Sequence, residues 1–163
     1  MSLIAMGWAF TLGALAHNAE EAALLPAWSQ RAGPIYRPVS PVVFRCAAVW
    51  LSLGFIVVTT VASFSAPGSP GAYLMAGYVL AMALNAVMPH LAVTVITRRY
   101  MPGTATAMLL NLPLGALYLH GAVTSQAISL PTFYWAGPLV ALGIVALLPG
   151  LFALGRRLHP EAV

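Results

Sequence analysis

Residues 15–25 read Leu-Ala-His-Asn-Ala-Glu-Glu-Ala-Ala-Leu-Leu, which sets His17, Glu20 and Glu21 inside an otherwise apolar N-terminal run. The three stand at i, i+3 and i+4, so on a helix they share one face within about 100° of circumference. The whole chain has three acidic residues, and two of them are side by side here. Adjacent carboxyls in a low-dielectric setting cannot both ionise cheaply, so one would hold a proton while the other accepts one. With an imidazole beside them, this is the inventory of a proton relay. The same atoms are also metal ligands. His17, a glutamate and a second histidine, His90, suit Zn²⁺ or Fe²⁺ and leave a coordination position for water.

The elements that must position these groups follow from composition. Of 163 residues, 61% are hydrophobic and 6% charged, against about 25% charged in a soluble domain. Five apolar runs, 3–25, 42–64, 72–97, 104–124 and 132–154, each approach or exceed the roughly 20 residues that cross a bilayer. The segments between them are rich in Pro, Gly and Ser, the chemistry of turns. The sequence therefore predicts an all-α polytopic membrane protein, a bundle of five transmembrane helices forming a single domain over residues 1–163. The first run lacks a basic leader and carries carboxylates, so it is expected to stay in the mature protein.

All seven basic residues are arginines. They flank the apolar runs without forming a basic stripe, which excludes nucleic acid as a partner. Arg31, Arg37 and Arg45 lie in or beside the first loop, Arg98 and Arg99 in the third, and Arg156 and Arg157 in the tail; the second and fourth loops carry no charge. By the positive-inside rule this places the N-terminus outside, the C-terminus in the cytoplasm and the protein in the cell membrane. One cysteine, Cys46, rules out an internal disulfide and a thiolate cluster.

Ionisable groups near a membrane centre cost about 2.5–3.5 kcal/mol each on insertion scales, so the face bearing His17, Glu20 and Glu21 should look into the bundle. Counted from the cytoplasmic ends at about 1.5 Å per residue, Glu21 lies roughly 7 Å deep, and His17, His90 and Asn111 roughly 12–13 Å; Asn85 is nearer the midplane. Three helices thus bring polar groups to one level. His120 lies toward the outer end and belongs to another layer.

The segment His17-Asn-Ala-Glu20-Glu21 resembles the signature of the HXXEE-domain membrane proteins, a bacterial family suspected to be enzymes. Asn85 with His90, and Tyr100-Met-Pro102-Gly103, are similar to that family's remaining motifs. The family pattern spaces Asn and His as N-x-x-x-H, whereas here four residues intervene. On a regular helix Asn85 and His90 would point about 140° apart. A π-bulge absorbs one extra residue, and Pro89 is placed to cause it by freeing the carbonyl of Asn85. A bulge or kink is expected at 85–90, turning both side chains toward the helix of Glu20.

The combined reading is an enzyme that uses buried Glu/His acid–base chemistry on a hydrophobic small molecule or lipid entering from the bilayer, by isomerisation, cyclisation or hydrolysis. His17, Glu20, Glu21, Asn85 and His90 are the catalytic candidates, and Tyr100, Asn111 and Arg98 the substrate-binding ones. Arg98 and Arg99 serve topology first and an anionic head group second. Metal ligation by His17, Glu20, Glu21 and His90 is the alternative. The metal-free relay is preferred, because Glu20 and Glu21 point in diverging directions that one ion would not satisfy. On that reading Glu→Gln at either position should leave the fold intact and abolish turnover. A proton or metal-ion transporter would draw on the same residues, and a structural membrane subunit would account for the uncharged loops. A homodimer is compatible with a five-helix bundle but not indicated by it.

Overall fold

A computed structural model describes residues 1–162. Among these the chain is helical throughout, with no strand. The five long helices are α1 (Leu3–Ser29), α2 (Pro41–Ser63), α3 (Pro70–Thr97), α4 (Thr104–Thr124) and α5 (Leu130–Leu158). Their starts are written in local sequence. Ser2 caps α1 by accepting from the Ala5 N–H at 3.2 Å. Helices α2 and α3 both begin with Pro directly after Ser, a position where the missing N–H costs nothing.

Helices α2 to α5 are long and apolar enough to cross a membrane. The chain is thus a membrane protein whose surface carries many large apolar side chains, especially along α5. The expected fifth span, α1, is a 27-residue helix of sufficient length, but it does not reach the apolarity of the other four. His17, Asn18, Glu20 and Glu21 are the physical reason.

Helix α3 is central and packs against α2, α4 and α5, while α1 lies against α2 and α4. The apolar core gathers where the helices cross, around Phe10, Phe55 and Tyr78. Phe55 stacks on Tyr78 with ring centroids 4.0 Å apart, and Phe10 meets Tyr78 edge-on at 5.2 Å. At one end of the bundle the loops after α2 and α4 are tied together, Gly68 N–H donating to the Ala127 carbonyl at 2.9 Å. The opposite end carries the linkers 30–40 and 98–103, and the polar groups collect on that side.

Both α3 and α4 change pitch there. A π-helical segment occupies Ala86–Leu91, with Met88 in extended backbone (φ −132°, ψ 114°), as the spacing of Asn85 and His90 predicts. A second π segment, Ala107–Asn111, begins one turn into α4. Each lies just before or over a proline: Pro89 removes the N–H that would reach the Asn85 carbonyl, and Pro113 the one that would reach Leu109. Such freed carbonyls are tolerated in a membrane only inside protein or along a cavity.

Proline has a third effect, in α1. Pro26 cannot donate to the Ala22 carbonyl, and the guanidinium of Arg45 does so instead, Nε to O at 3.0 Å. That contact joins the start of α2 to α1 one residue beyond Glu21.

Candidate functional site

Glu20 and Glu21 leave α1 toward different neighbours. Glu20 faces the start of α4. Its Oε1 accepts the Tyr100 hydroxyl and the Gly103 N–H (2.9 Å), and its Oε2 accepts the Thr106 hydroxyl (2.7 Å) and N–H (3.4 Å). The first turn of any helix has N–H groups without intrahelical partners, and its positive end favours an anion. Glu20 meets both needs. The Tyr100 hydroxyl also accepts from the Ala105 N–H at 3.1 Å, so residues 100–106 wrap around one carboxylate. Burial, and then the bond to Glu20, push the Tyr100 phenol above the ordinary tyrosine range.

Glu21 faces the π segment of α3. Its Oε1 lies 3.2 Å from His90 Nε2, and its Oε2 lies 3.7 Å from His17 Nε2. Both imidazoles have no solvent exposure, and their rings meet edge-to-face at 4.8 Å. His17 is held at its other nitrogen: Nδ1 is 3.0 Å from the Gly103 carbonyl and 3.2 Å from the Thr106 hydroxyl. A carbonyl can only accept, so Nδ1 carries the proton and Nε2 is the bare nitrogen. The Asn85 amide donates to that Nε2 at 3.2 Å, which places Asn85 in the same cluster.

Gly103 is the piece that lets these parts close. Its backbone has φ +94°, its N–H holds Glu20 and its carbonyl holds His17. A Cβ at this position would fall 2.6 Å from His90 Cε1, 2.9 Å from His17 Cε1 and 3.0 Å from Glu21 Cγ. No side chain fits. Buried Thr104 completes the corner, donating to the His90 carbonyl at 3.2 Å and pairing with Thr94 at 2.9 Å.

A cavity of about 270 Å³ opens beside the cluster. Glu21, Asn85 and Asn18 are among the residues that line it, and Leu51, Phe55 and Phe152 belong to its predominantly apolar walls on α2 and α5. Asn18 is fixed by donating to the Ser52 hydroxyl at 2.9 Å. Tyr36 also lines the cavity; burial, and secondarily the charge of Glu21, raise its phenol above the ordinary value.

The structure therefore brings together His17, Glu21, Asn85 and His90, with Glu20 and Tyr100 one step away in a separate bonded set. Asn111 is fully buried beside Gly13, one turn of α1 from His17, and its amide has no partner. Arg98 is exposed and caps α3 in left-handed backbone (φ 54°). His120 is exposed, far along α4 from the cluster. Sequence reasoning missed Thr106, which touches both Glu20 and His17, and Asn18. A hydroxyl in the first turn after Gly103 was the available signal for Thr106; Asn18 offers none beyond its polarity.

An α-helical membrane protein with a buried His/Glu cluster is the class that fold and site define. The model of a family described as "Protein of unknown function with HXXEE motif" matches residues 8–118, which include every member of the cluster. The chain belongs to this HXXEE family. It is similar to "Uncharacterized protein YrkK" of Bacillus subtilis (strain 168), at 32% identity over 151 residues, covering 88% of this chain and 91% of that one. No solved structure matches the chain.

Proposed function

We propose that the protein is an enzyme of the cell membrane that acts on a lipophilic molecule, with Glu21, His17 and His90 carrying the chemistry and Asn85 positioning His17. One observation supports this above all others: the mostly apolar lining of the cavity includes Glu21 and Asn85, two of the few polar groups in the bundle. A hydrophobic substrate reaching this cavity from the bilayer would bring its polar end to the Glu21 carboxylate, which the buried imidazoles of His17 and His90 back from behind. Isomerisation, cyclisation and hydrolysis each need a proton moved at that point. In this reading α1 crosses the membrane as a fifth span, its polar face turned inward, with the N-terminus outside and the site in the cytoplasmic half.

A conduit for ions is less well supported. Toward the far end of the bundle, Thr11 and Thr59 are buried and bond to each other at 2.6 Å, and His120 points outward. The polar layer is one-sided, as a pocket requires and a transport path does not.

The test compares lipophilic extracts of membranes bearing the wild type, Glu21→Gln and Leu51→Trp, the last filling the cavity. The same compound should accumulate or disappear in both variants relative to wild type. Extracts indistinguishable among the three, with each protein folded and present, would refute the reading.

A further inference from the structure

We propose that His17, Glu21 and His90 form the protein half of a divalent-metal site, completed by water on the cavity side. Its catalytic role rests on the function proposed above; the binding itself rests on geometry alone.

The donor atoms already converge. One ligand atom from each of the three residues lies within 4.8 Å of the other two, with the Glu21 oxygens 3.2 and 3.7 Å from the two Nε2 atoms. Ligands of a tetrahedral zinc ion, at bond lengths of about 2.0–2.1 Å, stand about 3.3 Å apart. Small side-chain rotations close the remaining difference.

The tautomer of His17 is that of a metal ligand. Its Nδ1–H is given to the Gly103 carbonyl, which leaves the lone pair of Nε2 facing the cluster, as the outer partners of metal-binding histidines ordinarily arrange. His90 supplies the independent observation. It is fully buried, and neither of its ring nitrogens has a hydrogen-bond partner. Its Nε2 lies 3.2 Å from Glu21 Oε1 without forming a hydrogen bond to it. A buried imidazole without partners requires an explanation, and an ion between it, Glu21 and His17 provides one.

Charge points the same way. Glu20, the fourth ligand candidate from sequence, is consumed by its bonds to Tyr100, Gly103 and Thr106. The divergence of the two glutamates therefore does not count against a metal, because only Glu21 is asked to bind it. Arg45, which reaches α1 one residue beyond Glu21, is engaged with the Ala22 carbonyl. Two imidazoles and one carboxylate with an open position is a set that suits Zn²⁺ or Fe²⁺, and the water such an ion holds is acidified toward neutral pH. Asn85, now on His17 Nε2, would turn its amide aside to that water.

The experiment uses full-length protein in detergent, purified through a tag without histidine and without chelators. Elemental analysis should find near one zinc or iron per chain. After chelation, added Zn²⁺ should raise the melting temperature, with saturation at one equivalent. Glu21→Gln and His90→Ala should bind at least about 100-fold more weakly, and Asn85→Ala about tenfold, while His120→Ala matches the wild type. Circular dichroism of each variant shows whether it is folded, and His90→Asn stands in if His90→Ala is not. Absence of ion together with no response to Zn²⁺ or Fe²⁺ would overturn the site, as would undiminished binding in folded Glu21→Gln. Leu51→Trp separates the two proposals: it should keep the metal while losing the effect on lipophilic extracts.

Discussion

The two flanks of α1 at residues 20 and 21 differ by one position in sequence and by almost everything in surroundings. On the Glu20 flank every oxygen lone pair that matters is met by a donor from residues 100–106. On the Glu21 flank a carboxylate faces two imidazoles and a cavity, and among the described residues no N–H or O–H donates to it. The first arrangement is how a protein uses charge to fix structure, since hydrogen bonds to ionised groups are the stronger ones. The second leaves its groups uncommitted, as the proposed chemistry would require. Adjacent identical residues are not redundant here.

Gly103 joins the two flanks, and altering it should have the largest effect. In Gly103→Ala, overpacking costs about 1–3 kcal/mol and left-handed backbone about 1–2 kcal/mol more. Thermal unfolding in lipid should register both, and the Glu20 and Glu21 sets should loosen together. A variant as stable as wild type would mean that the flanks are not closed through this residue.

Thr106→Val is the next in size. It removes the hydroxyl that Glu20 accepts and that His17 touches, at about 1.5–3 kcal/mol for a bond to a charged group. Because the Glu21 flank keeps its neighbours, Zn²⁺-induced stabilisation should survive in this variant even as its baseline stability falls. Parallel loss of both would merge what the structure separates.

The smallest expected effect is in alkali. Tyr100 has its phenol raised above the ordinary value by burial and by Glu20, so the folded state holds this proton more tightly than the unfolded chain. The contribution is complete below the ordinary tyrosine pKa of about 10 and is lost as pH rises through the folded value. Stability should therefore fall above about pH 10 less steeply in Tyr100→Phe than in wild type. Equal slopes in an alkaline unfolding series would remove Tyr100 from the clamp.

Much of this arrangement is legible in the sequence, for identifiable reasons. The i, i+4 spacing puts His17 and Glu21 on one face whatever the fold, and Pro89 with one extra residue foretells the break that brings Asn85 and His90 to α1. The second π segment carries a similar mark in Pro113, but no spacing anomaly accompanies it to make the mark readable. Distinguishing Glu20 from Glu21 is beyond the sequence. Their difference is made by residues 100–106, eighty positions away, whose donors are backbone N–H groups that every sequence possesses. The Tyr100-Met-Pro102-Gly103 stretch reads most simply as an interfacial turn; its backbone in fact holds Glu20 and His17. The span count falls short for a related reason, since the polar residues that α1 brings to the cluster also lower its apolarity below that of α2 to α5.

Unfolding free energies of Glu20→Gln and Glu21→Gln, measured side by side in the same bilayer mimic at neutral pH, test the division of labour most directly. Gln at position 20 presents an amide NH₂ to a ring of donors and loses the charge they were built around, so stability should fall by about 1.5–3 kcal/mol. Gln at position 21 faces imidazoles and a cavity, and with the protein stripped of metal its stability should hold or rise. Equal losses in the two variants, or a greater loss for Glu21→Gln in metal-free protein, would contradict the assignment of structure to one glutamate and chemistry to the other.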